Sequence, residues 1–386
     1  MRRYSADDEE ALRAAALVRE WTRSGLLEPA QQASFERDLQ VDVKRTNPFL
    51  RAVLALFTAL IVVAGVGLIL LGLGVNDAVS IEVITGLAAL GCIGLAEYLV
   101  AAYRLYRFGV EEALGVSAVA LSMITGTAVT DSLHLGSPRL PGLTATLLGA
   151  AGGAGLYARF GYLYAALGAI ACAAAVPFQL DVSWPVQHLL AAAAMAVVLA
   201  VVRIKRVEHR DDHLAESYGW LQAAAVAGIY AALNLQLLWT RSSSTGLFYW
   251  STYVAIWLLP CAALAVALRD KDRELLDASL SMGLLTLITN KPYLGRPRQP
   301  WDPIVLGAAL IATAVFVRRW LASGPGGERH GFTASRLLDA DRAKLSLVGS
   351  ASALIPTPAT TRSSSPSSEP GFRGGRSGGG GAAGEF

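Results

Sequence analysis

From residue 49 to residue 321 the chain alternates long apolar blocks with short polar breaks. The first block, residues 49–75, carries one charge, Arg51, near its start, and as a helix it would reach roughly 40 Å. That length crosses the hydrocarbon core of a bilayer with some tilt. In water it would expose more contiguous apolar surface than a soluble monomer tolerates. Similar blocks follow at residues 80–103, 110–129, 143–158, 162–180, 186–202, 220–239, 247–268, 275–289 and 303–321. The pattern predicts an all-α fold, a polytopic transmembrane helix bundle of about ten spans. The blocks at 143–158 and 162–180 are short, which suits a tilted or partly buried helix. The block at 275–289 is polar at its start and either spans or re-enters on the side it left.

The flanks differ in kind. Ser5 and Asp8 have capping-box spacing, and Leu12, Ala16, Leu17 and Trp21 then recur at helical intervals. Gly25 suits a helix C-cap, and Pro29 suits the first turn of a second helix bearing Phe35 and Leu39. Residues 1–48 thus read as a short helical hairpin and a basic linker, Lys44 and Arg45, before the membrane domain at 49–321. Residues 322–386 turn to Gly, Ser and Pro and read as a disordered tail, with 333–347 able to form one short amphipathic helix. Basic residues flank alternate breaks, which places both termini in the cytoplasm. No cleavable signal peptide is expected, and the first apolar block would serve as a signal anchor.

Composition agrees with a membrane protein: 53% of residues are hydrophobic and 16% charged, against about 25% charged in a soluble domain. The net charge of +3 has no basic patch of the kind that binds nucleic acid. Cys92, Cys172 and Cys261 lie singly in apolar blocks, so neither a disulfide framework nor a zinc site is expected. No nucleophile-and-base motif and no nucleotide loop is present, so the sequence leans away from an enzyme and implies no cofactor.

Charges inside a membrane are the usual pointers to function. Glu97 lies in the second block, and Arg104, Arg107, Glu111 and Glu112 surround the following break. Either they form an inner-mouth site for a proton or cation, or Arg107 pairs with Glu111 four residues on and the acids favour a helix start. Asn234 and Gln236, with Trp250, Tyr253 and Trp257 before Pro260, either line a polar cavity beside a kinked helix or pack helices together. Gly149 and Gly153 have the spacing of a close helix contact. His209 and His213, with Glu216 near, could share a helix face, but Arg210 stands where a zinc peptidase motif needs its glutamate. Residues 290–303 join Lys291, Arg296 and Arg298 to Trp301 among four prolines, against the positive-inside trend. This loop either binds lipid headgroups or another anion, or is a stiff interfacial turn.

Leu17-Val18-Arg19-Glu20-Trp21 and Gly25-Leu26-Leu27-Glu28-Pro29-Ala30-Gln31, followed by a basic linker and a Gly-containing span, resemble the DUF2157 family. That resemblance covers the first 75 residues by motif and the rest by hydropathy. It implies a bacterial polytopic protein of the inner membrane with a short cytoplasmic helical segment, and it carries no activity. The Gly-rich ending, residues 371–386, is similar to the tails of TPM-domain membrane proteins, although no TPM domain is present. The expected partners are the lipid bilayer and a protein bound through the N-terminal hairpin or the C-terminal tail. The expected function is a non-enzymatic membrane scaffold or envelope-associated protein. The alternative is a small-solute or ion transporter or channel using Glu97 and Asn234, and a third reading is a membrane enzyme acting on lipid-linked substrates.

Overall fold

The computed structural model describes residues 4, 6–23, 27–41, 43–44, 46–75, 77–133, 137–209, 215–237, 246–296, 299–324, 328–329 and 332–333. Expectations for Ser5, Gly25, Arg45 and the tail from 334 onward fall outside them. The chain forms two compact units: residues 1–9 with 41–296, and residues 10–40 with 297–386.

The first unit is a series of helices: α3 (Pro48–Gly72), α4 (Ala78–Tyr103), α5 (Val110–Ser132), α6 (Leu140–Phe160), α7 (Leu163–Ala175), α8 (Trp184–Glu208), α9 (Ala215–Leu233), α10 (Leu247–Asp270) and α11 (Arg273–Tyr293). The end at which α3 begins is called the near end below. Starts are set by side chains that accept otherwise unpaired N–H groups. Asn47 accepts from Leu50 N at 2.6 Å ahead of Pro48, Asp77 accepts from Ser80 N at 2.8 Å, and Asp272 accepts from Leu275 N at 3.2 Å. Gly161, at φ 73°, ends α6 in the left-handed conformation that glycine adopts without a Cβ penalty. Pro177 converts the end of α7 into a 3-10 turn, Val176–Gln179.

Close approach of α6 to its neighbours depends on glycine. A Cβ on Gly149 would meet Cys172 Sγ at 2.8 Å, and one on Gly153 would meet the Ala165 carbonyl oxygen at 2.7 Å. The largest core cluster gathers Tyr230, Leu235, Tyr249, Ile256, Leu275, Met282 and Tyr293 from α9, α10 and α11 and the turn after α9. A second joins Ala89, Cys92 and Ala96 of α4 to Leu114, Ala118 and Leu121 of α5.

The second unit holds most of α1 (Ala6–Arg23), α2 (Pro29–Asp38), α12 (Asp302–Ala322) and a two-stranded antiparallel hairpin, β1 (Glu328–Arg329) and β2 (Phe332–Thr333). Arg19 Nε lies 3.3 Å from Glu36 Oε1 and links α1 to α2, while Gln31 Oε1 accepts from Glu28 N at 3.0 Å at the start of α2.

Each of the ten apolar blocks overlaps a helix, but the 220–239 block outlasts α9, which ends at Leu233, so Asn234 and Gln236 lie in the turn after it rather than deep in a span. Six of the helices are long and apolar enough to cross a membrane: α3, α4, α5, α8, α10 and α12 from Ile304. Such a set is that of a multi-pass membrane protein. Helix α11 extends beyond the predicted block to Tyr293, so Asn290, Lys291, Pro292 and Tyr293 are helical rather than loop residues. Its last turn is held by the buried Tyr293 side chain, which outweighs the proline there.

Candidate functional site

At the near end the connection between α4 and α5 folds tightly around the start of α3. Arg104 and Arg107 adopt left-handed conformations, φ 51° and 50°, and Gly109 has φ 106°. Two such non-glycine residues cost of order 1 kcal/mol or more each, and surrounding contacts must hold them. Those contacts are visible: Lys44 N donates to Arg104 O at 3.0 Å, Tyr106 N donates to Lys44 O at 3.0 Å, and Thr46 Oγ1 donates to Phe108 O at 3.3 Å. A Cβ on Gly109 would collide with the Arg51 carbonyl oxygen, so only glycine lets α3 come this close.

Arg51 and Glu112 then meet side by side. Arg51 Nε donates to Glu112 Oε2 at 2.6 Å and Arg51 Nη2 donates to Glu112 Oε1, a two-point ion pair between α3 and α5. The neighbouring Glu111 is almost wholly buried. Its Oε1 accepts from Phe108 N at 2.7 Å, closing the helix start, while its Oε2 is buried and has no hydrogen-bond partner. The expected Arg107 to Glu111 pair is not formed. Arg107 instead lies over the Tyr106 ring, 5.6 Å from its centroid, because its left-handed backbone places it outside the α5 helical register. Arg104 is exposed and borders a cavity of about 230 Å³ with Tyr4, Asp8 and Leu105. Tyr4 also lies 3.4 Å, oxygen to oxygen, from Tyr162, and its burial pushes its phenol well above the ordinary value, so it stays neutral.

Beside the Arg51–Glu112 pair, a groove of about 450 Å³ runs between α3, α5 and α7. Its α3 wall is Ala52, Ala55 and Ala59; Val116 and Ser117 of α5 and Tyr164 of α7 complete it.

Glu97, which the sequence offers as a candidate proton or cation site, is paired. Arg159 Nε donates to Glu97 Oε1 at 2.5 Å and Arg159 Nη2 to Glu97 Oε2 at 3.1 Å, joining α4 to α6. A third pair at the same end joins α8 to the start of α11: Arg206 Nη1 donates to the buried Asp272 Oδ2 and, at 3.0 Å, to Gln222 Oε1 of α9. Arg51 stands out in the sequence only as the lone charge of the first block, and Arg159, Arg206 and Asp272 do not stand out as candidates. The available signal was that a carboxylate or guanidinium within an apolar helix needs a partner on another helix.

At the opposite end Asn234 and Gln236 sit in a closed network. Asn234 Nδ2 donates to Tyr230 Oη at 2.8 Å and to Thr289 Oγ1 at 3.1 Å. The Thr286 hydroxyl proton goes to a carbonyl, that of Ile256 or Met282, so Tyr230 donates to Thr286 Oγ1 at 2.9 Å. Asn234 Oδ1 accepts from Gln236 N at 3.2 Å, and Gln236 Nε2 donates to Tyr249 Oη at 3.4 Å. Tyr249 Oη donates to Tyr293 O at 2.9 Å, and Tyr293 Oη accepts from Leu235 N at 2.7 Å. Tyr253 donates to Asn290 Oδ1 at 2.8 Å, whereas Trp250 and Trp257 face outward. Nearby, His188 is buried, and since a carbonyl can only accept, its Nδ1 donates to Ala232 O at 2.5 Å.

Lys291 lies in the last turn of α11 and Arg296 is exposed after it. Trp301, also exposed, precedes α12 in the other unit, and Arg298 is outside the described residues. His209 stacks on Tyr218 at 5.7 Å between ring centroids, while His213 is outside the described residues. Among the described residues no group of three His, Cys, Asp or Glu could hold a metal ion. Comparison with protein-family models, with curated proteins and with solved structures returns no match to this chain.

Proposed function

We propose that this protein is a non-enzymatic scaffold of a bacterial inner membrane, with ten spans, α3 to α12, and both termini in the cytoplasm. The single observation supporting that reading is the use made of polar groups in the helices and at their ends. Glu97 is tied to Arg159, Glu112 to Arg51, and Asn234 to Tyr230 and Thr289. Groups paired in this way fix helices against one another and leave no free carboxylate at Glu97 for a moving ion. Charge placement supports the sidedness, because Lys44, Arg104, Arg159, Lys205, Arg206 and Arg269 all lie toward the near end. The DUF2157 resemblance supports the setting.

Recruitment falls to the N-terminal helices in this reading. Leu17 and Trp21 lie four residues apart on α1 and are 49% and 45% exposed, and Phe35 on α2 is 45% exposed. Such residues on a short charged hairpin suit an apolar stripe on a partner protein. The test is flux of a panel of small ions and solutes into liposomes carrying the purified protein. A scaffold gives none above empty liposomes. Flux abolished by Glu97→Gln would establish the transporter instead.

A further inference from the structure

The groove between α3, α5 and α7 has a direction. At its mouth, in the first turn of α3, stands the Arg51 guanidinium with Glu112; from there Ala52, Ala55 and Ala59 continue along α3. Eight residues separate Arg51 from Ala59, roughly 12 Å along a helix axis. The wall is open because three successive positions on this face carry only a methyl group. A site that is charged at the end of a spanning helix and apolar toward its middle repeats the polarity of a membrane lipid from headgroup to chain.

Arg51 also has capacity left. A guanidinium carries five N–H donors, of which Glu112 takes two. Its other N–H groups have no hydrogen-bond partner among the described residues, and the side chain is 33% exposed. Lys44, Arg104 and Arg107 lie in the same pair of near-end segments, opposite Glu111 and Glu112, so cations outnumber carboxylates there. Tyr164 of α7 lines the groove beside them. A volume of about 450 Å³ lies within the range of small-molecule sites.

We propose that this groove holds one acyl chain of an anionic phospholipid, with its phosphate against the outward N–H groups of Arg51. Phosphate suits a guanidinium that still has donors to offer, and the chain takes the place of the side chains that the alanines lack. The proposal rests on reading α3 and α5 as membrane-spanning. It gives the scaffold a bound lipid and does not depend on transport.

The test uses the full chain, purified in detergent and delipidated, with native mass spectrometry at increasing phosphatidylglycerol or phosphatidylcholine of matched chains. Phosphatidylglycerol should bind at least about tenfold more tightly. Ala55→Leu with Ala59→Leu, which fills the groove and leaves the ion pair intact, should reduce that binding about tenfold or more without lowering the melting temperature. Arg51→Gln with Glu112→Gln, which removes both charges together, should abolish the preference for phosphatidylglycerol and keep the chain bound. Equal binding of the two lipids, or unchanged phosphatidylglycerol binding by the filled groove, would overturn the proposal. So would displacement of the lipid by millimolar inorganic phosphate, which marks a headgroup site alone, or a dimer that disappears on filling the groove with no lipid bound. Alkaline carbonate extraction separates the premise: release from membranes refutes the membrane reading itself, whereas retention with no lipid preference refutes only the groove.

Discussion

Arg51 Nε donates to Glu112 Oε2 at 2.6 Å and so ties the first turn of α3 to the first turn of α5, across 61 residues of sequence. Glu111, immediately before it, has a buried oxygen without a partner. The two carboxylates therefore respond differently to the same change. Glu112→Gln strands a guanidinium in a partly buried site and should lower stability by about 3 kcal/mol, at the low end for a broken buried pair because Arg51 is part-exposed. Glu111→Gln keeps an acceptor for Phe108 N and should be neutral or stabilising. Melting of both variants in detergent checks the contrast.

Gly109 should be the least replaceable glycine at the near end. Its φ of 106° and the Arg51 carbonyl against it leave no room for a Cβ. Gly109→Ala should cost about 2 kcal/mol or more, by adding strain to a displaced α3, whereas Gly155→Ala, with open space around it, should cost little. The melting temperatures of the two variants provide the comparison.

Asn234 is predicted to act as a joint. Asn234→Leu leaves the Gln236 N–H without its acceptor and removes one donor each from Tyr230 and Thr289. It should cost about 1–3 kcal/mol. Tyr230→Phe on the same background should then cost less than it does alone, as expected of groups in one network. A double-mutant cycle on thermal melting measures that coupling.

Asp77 gives a pH signature. The Ser80 N–H it accepts holds its carboxyl below the ordinary carboxylate range. A depressed folded-state value means the contribution is present above the unfolded carboxylate value and is lost as pH falls through the folded one. Asp77→Ala should therefore melt earlier than the parent at neutral pH, and the two should converge in acid. Melting curves across that range decide it.

Helix positions were largely legible in the sequence because apolar length and capping residues are local properties. Asn47 and Pro48 start α3 where the first block begins, and Pro29 opens α2. What was not legible was which helix answers which charge. Glu97 and Arg159 are 62 residues apart, and no local spacing joins them. The left-handed Arg104 and Arg107 are invisible for a related reason, since the contacts holding that turn come from Lys44 and Thr46 on another segment. Periodicity placed the end of α11 too early, because Tyr293 gains its burial and hydrogen bonds from α9 and α10. Asn234 and Gln236 were visible as unusual residues. Their saturation was not, since it depends on three other helices or turns closing around them.

The central claim is that the intramembrane charges lock the bundle and that recruitment occurs at the N-terminal helices. The most direct measurement is affinity purification from native membranes with quantitative mass spectrometry, comparing the parent, Glu97→Gln with Arg159→Gln, and Leu17→Ser with Trp21→Ser. The account predicts a stoichiometric partner that is retained when the Glu97 and Arg159 charges are removed together and lost when the apolar face of α1 is made polar. A partner indifferent to the α1 change, or no stoichiometric partner in any preparation, would contradict it.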